Sequence, residues 1–421
     1  MSDFFNAYSR QDWEDLALET LSEKSIESLN EIADDGIEIK AIYSSEDQKL
    51  TNPAGIPGAT PFIRGNKTSG HENGTWDIRA LIDDSTPELA NKAALNELLN
   101  GSTSLFIDPE KIGVESVNDL DKTLEDVFLN MTSIWFKPAL KGTEVAKWMI
   151  ELWDQRDIAN SDRHGGLGID PIGVAVRKGI QSDYSKEFLD IPDVIDRTGF
   201  SKALNIDSSF YPDLGGSTSA ELAYSLAVAL HYLRELEKTE IEIETIIENM
   251  YFTYSSNSDQ FMTIAKFRAA RRLWTQITKE CGATSENQKQ TQHAVASSNA
   301  MDKKDPWFNS FKATVAAFSA GIGGAEAITV IPFSLSDEIS GGESERRMAR
   351  NTQLLLAEES HIGRVIDPAG GSWFVEQLTE HLAQKSWETF QNIESSGGIV
   401  EVLNSEQKIQ DFLKIRGSSH E

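Results

Sequence analysis

Eight short apolar runs recur along this chain, most of them closed by Asp, Ser or Pro and most separated by a stretch with helical periodicity. Ser104–Ile107 ends in Asp108-Pro109, and Ser133–Phe136 follows a helical stretch around Leu120–Leu129. Leu167–Ile169 ends in Asp170-Pro171, Ala203–Ile206 in Asp207-Ser208-Ser209, and Met250–Tyr254 in Ser255-Ser256. His293–Ala296 ends in Ser297-Ser298, Ala327–Ile331 in Pro332, and Gly363–Ile366 in Asp367-Pro368. Strands that alternate with helices pair in parallel through right-handed crossovers. Eight such units predict an α/β fold, a closed (β/α)8 TIM-type barrel over residues 101–400, with ligands met at the strand C-termini. The acidic and hydroxyl residues there also serve as strand stops and helix caps, which accounts for most of them.

The stretch 346–376 compresses the pattern. No Gly or Pro interrupts Glu343–Ile362, and Leu354, Leu355 and Leu356 give a helix there an apolar side. A short strand is expected at Arg364–Ile366, then a turn at Gly370-Gly371, then a helix from Trp373 to about Ile393.

Residues 1–50 read as a helical and extended N-terminal arm anchored by Phe4, Phe5, Trp13, Leu16, Leu18 and Leu21. An arm this aromatic covers either its own domain or a partner subunit. Residues 51–100 form a Pro/Gly-rich lead-in to the barrel, within which Arg64, His71 and Arg79 sit among turn residues. Residues 401–421 read as a C-terminal tail or helix.

Charge and composition exclude several functions. A net charge of −28, from 67 acidic against 39 basic residues, argues against nucleic acid or an anionic membrane as partner. Cys281 is the only cysteine, so no internal disulfide is possible, and the N-terminus lacks a signal-peptide pattern; a cytoplasmic protein is expected. No run reaches the length of a membrane span. Neither H-E-x-x-H nor paired Cys is present, so no metal site is expected. Asp162-Arg163-His164-Gly165-Gly166 resembles a ligand cluster but precedes a strand, so a turn is the better reading. Gly321-Ile322-Gly323-Gly324 follows a helix instead of a strand, the wrong order for a phosphate loop. The aromatic stripe Trp307, Phe311, Val315 and Phe318 on the preceding helix reads as core. Bottom-up, these residues name no reaction.

The segment Arg350-Asn351-Thr352-Gln353, Glu358-Glu359-Ser360 and Asp367-Pro368-Ala369-Gly370-Gly371-Ser372 resembles the barrel domain of methylmalonyl-CoA mutases. The likeness continues through Pro57-Gly58, Pro61-Phe62, Arg64-Gly65, Trp76, Ile78-Arg79, Lys266–Arg271, Leu273-Trp274 and Asp305-Pro306, covering about residues 10–400. It implies a (β/α)8 barrel threaded by coenzyme A, followed by a cobalamin-binding domain. In that family adenosylcobalamin supplies the radical that isomerises methylmalonyl-CoA to succinyl-CoA. Three departures then matter. His71 stands where catalytic chains carry a substrate-facing tyrosine. The family's H-S-Q-T-S-G-W reads His293-Ala294-Val295-Ala296-Ser297-Ser298-Asn299, keeping the histidine and one serine. The stretch Ser209–Leu214, where the carbonyl-binding histidine belongs, contains none. The given chain ends at Glu421, and D-x-H-x-x-G is absent; its nearest match, Asp162-x-His164, has Leu167 in place of the glycine.

The resemblance therefore points to a small subunit without catalytic residues or a cofactor of its own. Its partner would be a large catalytic subunit holding adenosylcobalamin, in a heterodimer. Arg64, His71 and His293 are its vestigial substrate-binding candidates, and a coenzyme A ester is a possible ligand. Phe136, Phe210 and Phe333 are expected to fill the coenzyme A channel. One alternative is an active acyl-CoA mutase barrel served by a separate cobalamin-binding chain, with His71 or His293 as carbonyl donor. Another is an unrelated or effector role in which Arg64 and Arg79 bind an anion.

Overall fold

The computed structural model describes residues 8–21, 25–33, 35–48, 54–68, 76–180, 188–296, 305–332 and 342–405. Eight parallel strands close into a barrel: β1 (Asp77–Ile82), β2 (Ser104–Ile107), β3 (Ser133–Phe136), β4 (Gly165–Ile169), β5 (Lys202–Asp207), β6 (Met250–Ser256), β7 (Gln292–Ala296) and β8 (Ala327–Thr329). Each pairs with the next, and β8 pairs back onto β1 through Ala327↔Asp77 and Ile328↔Ile78.

The (β/α)8 architecture is as expected, but one strand is not. The barrel opens with β1, inside the stretch read as a lead-in, and Gly363–Ile366 forms no strand. Once β8 has paired with β1, no sheet edge remains for a further strand. The backbone there instead makes a 3₁₀ turn at Ile362–Arg364, bracketed by left-handed residues His361 (φ 53°) and Asp367 (φ 50°). The helix expected up to Ile362 also ends sooner: its α segment is Glu343–Leu354, followed by a π turn at Leu355–Glu359.

Of the strand-end residues, Asp108 and Asp170 act as caps, and Ser217, Asp259 and Asp305, further along their loops, cap three more helices. Asp108, Asp170, Ser217, Asp259 and Asp305 each accept a backbone N–H in the first turn of the following helix. Pro109, Pro171 and Pro306 occupy the first helical position, where no N–H is needed.

Alternation along the strands divides the interior into two. Leu105, Ile107, Ile134, Phe136, Leu204, Ile206, Phe252 and Tyr254 join the core between sheet and helices. Phe252 meets Trp274, and Tyr254 meets Phe267, edge to face on the helix Gln260–Glu280. The intervening residues, among them Arg79, Phe106, Trp135, Asn205, Tyr251 and His293, line the barrel axis.

The motif Lys266–Arg271 lies on that same helix, and each of its cations is committed. Lys266 Nζ is 2.6 Å from Glu221 Oε2, with both side chains enclosed. Arg268 pairs with Asp367 and reaches Glu376 at 2.7 Å. Arg271 donates to the carbonyls of Phe62 (3.0 Å), Ile63 (2.9 Å) and Gly323 (2.8 Å), and to Gln292 Oε1 (2.6 Å). These bonds clamp the segment around Phe62 and the 362–368 turn beneath the strand N-termini.

The N-terminal arm divides in two. Asp35 accepts from Ser219 N (3.2 Å) and Ser219 Oγ (2.5 Å) at the start of the helix Thr218–Glu237. Tyr43 packs on Phe374 with ring centroids 5.0 Å apart, so residues 35–48 cover their own barrel. Helix α1 (Arg10–Leu21) differs: none of its residues is buried, and Leu16 and Leu18 are 63% and 47% exposed. Arg10 ties it to Asp47 at 3.3 Å. No helix among the described residues is long and apolar enough to cross a membrane.

Candidate functional site

The barrel axis and its C-terminal mouth are where this architecture places chemistry. Shear relates the axial residues of alternate strands: each odd strand contributes a residue two positions beyond its register partner. From Arg79, paired through Ser104 to Ser133, that step reaches Trp135. From His293, paired through Ala327 to Asp77, it returns to Arg79. Arg79, Trp135, Asn205 and His293 thus form one layer across the bore.

Side chains crowd that layer. The Arg79 guanidinium carbon lies 3.7 Å from the Trp135 ring centroid, and its Nη2 pairs with Asp77 Oδ2 at 2.8 Å. Trp135 meets Tyr251 edge to face, with centroids 4.8 Å apart. Gly166 makes room for both rings, because a Cβ there would fall 2.3 Å from Trp135 and 2.8 Å from Tyr251. Phe106 stands edge-on to the His293 imidazole at 4.9 Å.

The chemistry of His293 follows from its neighbours. Thr329 Oγ1 donates its one proton to the Arg79 carbonyl (3.0 Å), so at 2.8 Å it accepts the Nε2–H of His293. Burial, with some help from the Arg79 charge, holds the imidazole pKa well below its usual value. Nδ1 is therefore a bare lone pair, an acceptor and not a donor.

At the mouth, a cleft of about 170 Å³ is lined by Leu81, Phe106, Lys137, Arg177, Asp207 and Phe210, among others. Its cations are matched: Lys137 Nζ lies 3.0 Å from Asp108 Oδ2, and Arg177 Nη1 lies 3.5 Å from Asp207 Oδ2. Behind it, Asp170 accepts from Tyr232 OH (2.5 Å), Gly173 N (2.9 Å) and Asp207 N (3.0 Å). Burial pushes the Asp170 carboxyl up to about 7, against the pull of those hydrogen bonds. A folded-state pKa above the unfolded one means the folded protein holds this proton more tightly. Its contribution to stability is complete below about pH 4 and lost as pH rises to about 7. The side-chain carbonyl ¹³C resonance of Asp170 is expected to titrate with a midpoint near 7; a midpoint near 4 would contradict this environment.

The sequence candidates fall in different places. Arg64 lies at the N-terminal face, its Nε 2.9 Å from Asp367 Oδ2, beside a cavity of about 50 Å³ also lined by Asn66, Trp76, Arg271 and Glu326. His293 is in the axis, so the two do not form one site. His71 lies outside the described residues, as does Phe333. Phe210 lines the mouth cleft and packs on Tyr224, and Phe136 does not enter the channel. It faces the helix layer, and its neighbour Trp135 occupies the bore. Trp135 and Asn205 were missed as site residues, although period-two alternation along β3 and β5 carries the signal.

The other motifs are structural, but the stripe read as core is not buried at Trp307 and Phe311, which are 59% and 68% exposed. Asp162 ends a 3₁₀ turn, Arg163 pairs with Asp154 at 2.5 Å, and exposed His164 stacks on Phe200. Gly321–Gly324 closes the C-terminal end of the helix Pro306–Gly323, where carbonyls rather than N–H groups are presented. Arg64 and Arg79 are both ion-paired, which weakens the anion-binding alternative. No group of three His, Cys, Asp or Glu among the described residues could hold a metal ion.

Comparison with known proteins agrees with this architecture. The family model described as methylmalonyl-CoA mutase matches residues 32–111 and 109–414. The methylmalonyl-CoA mutase small subunit of Streptomyces virginiae is 37% identical over 384 residues, covering 90% of this chain and 61% of that protein. The small subunit from Propionibacterium freudenreichii subsp. shermanii is 34% identical over 374 residues, covering 88% and 58%. A Rhizobium meliloti methylmalonyl-CoA mutase is 26% identical over 436 residues, covering 94% and 59%. The chain thus spans about three fifths of the length of these relatives. The chain belongs to the methylmalonyl-CoA mutase family.

Proposed function

We propose that this chain is the small subunit of an adenosylcobalamin-dependent methylmalonyl-CoA mutase, catalytically silent itself and stabilising a large catalytic subunit in a cytoplasmic heterodimer. The observation that carries the reading is the obstructed axis, where Arg79 stacks on Trp135 and His293 is bonded to Thr329 across the path of an axial ligand. Turning that imidazole into a donor means protonating it, against burial and the Arg79 charge, or breaking its bond to Thr329.

Cobalamin, when bound, supplies the radical; the described residues of this chain do not fit it. Among the described histidines, His164 precedes β4, His231 lies on the helix Thr218–Glu237, and His293 is within β7. His361 and His381 follow the barrel strands in the C-terminal helical region, His381 within the helix Trp373–Ser395. None stands on a loop joining a barrel strand to its helix, where it could meet a corrinoid over the mouth. The reading therefore puts the cofactor on the partner.

Helix α1 supports the association. It presents Leu16 and Leu18 to solvent and has no fully buried residue, as a segment that folds over another subunit would. Covering the exposed parts of the two leucines, which amount to about one whole side chain, is worth ~2 kcal/mol, which is roughly thirtyfold in affinity. Tagged full-length chain is expected to co-purify from its native cell with a larger, cobalamin-carrying chain. Deleting residues 1–21 should weaken that complex at least about tenfold. Recovery of the chain alone, or undiminished affinity after the deletion, would count against the reading.

A further inference from the structure

We infer that the axial layer is a binding site for ordered water, enclosed between β1, β3, β5 and β7. Each of its four members carries one buried nitrogen with no hydrogen-bond partner: Arg79 Nη1, Trp135 Nε1, Asn205 Nδ2 and His293 Nδ1. Arg79, Asn205 and His293 are 3%, 0% and 1% exposed, so bulk solvent does not satisfy them. Buried polar groups in folded proteins are paired, by protein or by internal water, and one stranded in the interior is costly. Four on one level of one barrel call for a common partner.

The chemistry of the four selects water over an anion. The amide of Asn205 is oriented by Thr253 Oγ1, which donates to Asn205 Oδ1 at 2.9 Å and leaves Nδ2 as a free donor. Arg79 Nη1 and Trp135 Nε1 are donors by constitution, whereas the His293 lone pair accepts. The partner must therefore both accept and donate, as water does. Charge agrees, since Asp77 already neutralises Arg79 at 2.8 Å, and the His293 lone pair repels a negative ligand. The water bridges strands that are not neighbours in the sheet, and it occupies the level an axial ligand must cross. This site stands independently of catalytic silence, because it concerns hydration of the resting chain.

The test is a high-resolution crystal structure of the full chain, with a second crystal soaked in sodium bromide. The expected result is density for at least one water within about 3.2 Å of two or more of the four nitrogens, with no bromide anomalous signal there. In the Asn205→Leu variant, the water contacting that position is expected to be lost while the barrel is retained. Three results would overturn the inference: empty density between the four side chains, side chains turned to pair with one another, or an anomalous bromide peak marking an anion site. Turnover by this chain with the water in place would sink the proposed silence and leave the hydration site standing.

Discussion

Replacing Lys266 by methionine is expected to lower the free energy of unfolding by about 3–5 kcal/mol, the range for removing one partner of a buried ion pair. The ammonium of Lys266 lies 2.6 Å from Glu221 Oε2 and 2.7 Å from Ser255 Oγ, and the two charged side chains are 2% and 0% exposed. Glu221 also accepts from Ser255 N at 2.7 Å and from Ser255 Oγ at 2.8 Å. Without the lysine, a carboxylate stays enclosed with two neutral donors and no counter-charge. Its options are to take up a proton or to draw in water, and either disturbs the joint between β6 and the two helices that carry the pair. The double variant Glu221→Leu/Lys266→Met removes both charges and their desolvation cost. It is expected to recover most of the loss, although Ser255 then loses its acceptor. Urea unfolding of the wild type, the single variant and the double variant measures this. Equal destabilisation in both variants would place the cost in packing instead of charge.

The second large effect is an absence of turnover. Supplied with methylmalonyl-CoA and a cobalamin-binding domain from a catalytic relative, the purified chain is expected to form no succinyl-CoA above background. Radical rearrangement requires the thioester held dry and its carbonyl gripped, and the charged groups of this axis and the His293 N–H are already paired. Arg79 is paired with Asp77, Lys137 with Asp108, and the Nε2–H of His293 with Thr329. Adding the large subunit should restore activity that belongs to that subunit, and inactivating the large subunit's site should abolish it. Residual turnover after that inactivation would show that this chain performs chemistry.

Much of the fold is legible in the sequence because barrel strands announce themselves twice, by an apolar run and by a cap residue after it. Asp108-Pro109 and Asp170-Pro171 are both signals at once. The misplacement of one strand has a local cause. Asp77–Ile82 carries Asp77 and Arg79 on its axial face, so it lacks the continuous apolar run of a buried strand, whereas Gly363–Ile366 has that look without a sheet edge to join. Sequence cannot register that the barrel is already closed. The candidate site was less legible. His293 is identifiable as a motif residue, but its inability to donate depends on Thr329 and the Arg79 carbonyl, about 36 and 214 residues away in sequence. Bulk and position at the strand end favour Phe136 in the sequence; the strand's alternation decides which of two adjacent rings enters the bore. The cations of Lys266–Arg271 could be recognised as a pattern, while their task of clamping the 62–63 and 362–368 segments needed tertiary structure.

Whether the axis admits an acyl-CoA is decided most directly by crystals of the chain soaked with coenzyme A and with methylmalonyl-CoA. The expected map keeps Arg79 stacked on Trp135, with His293 bonded to Thr329 and no pantetheine density between them. A pantetheine arm threaded along the bore, with the His293 imidazole turned to donate to the acyl carbonyl, would contradict the account.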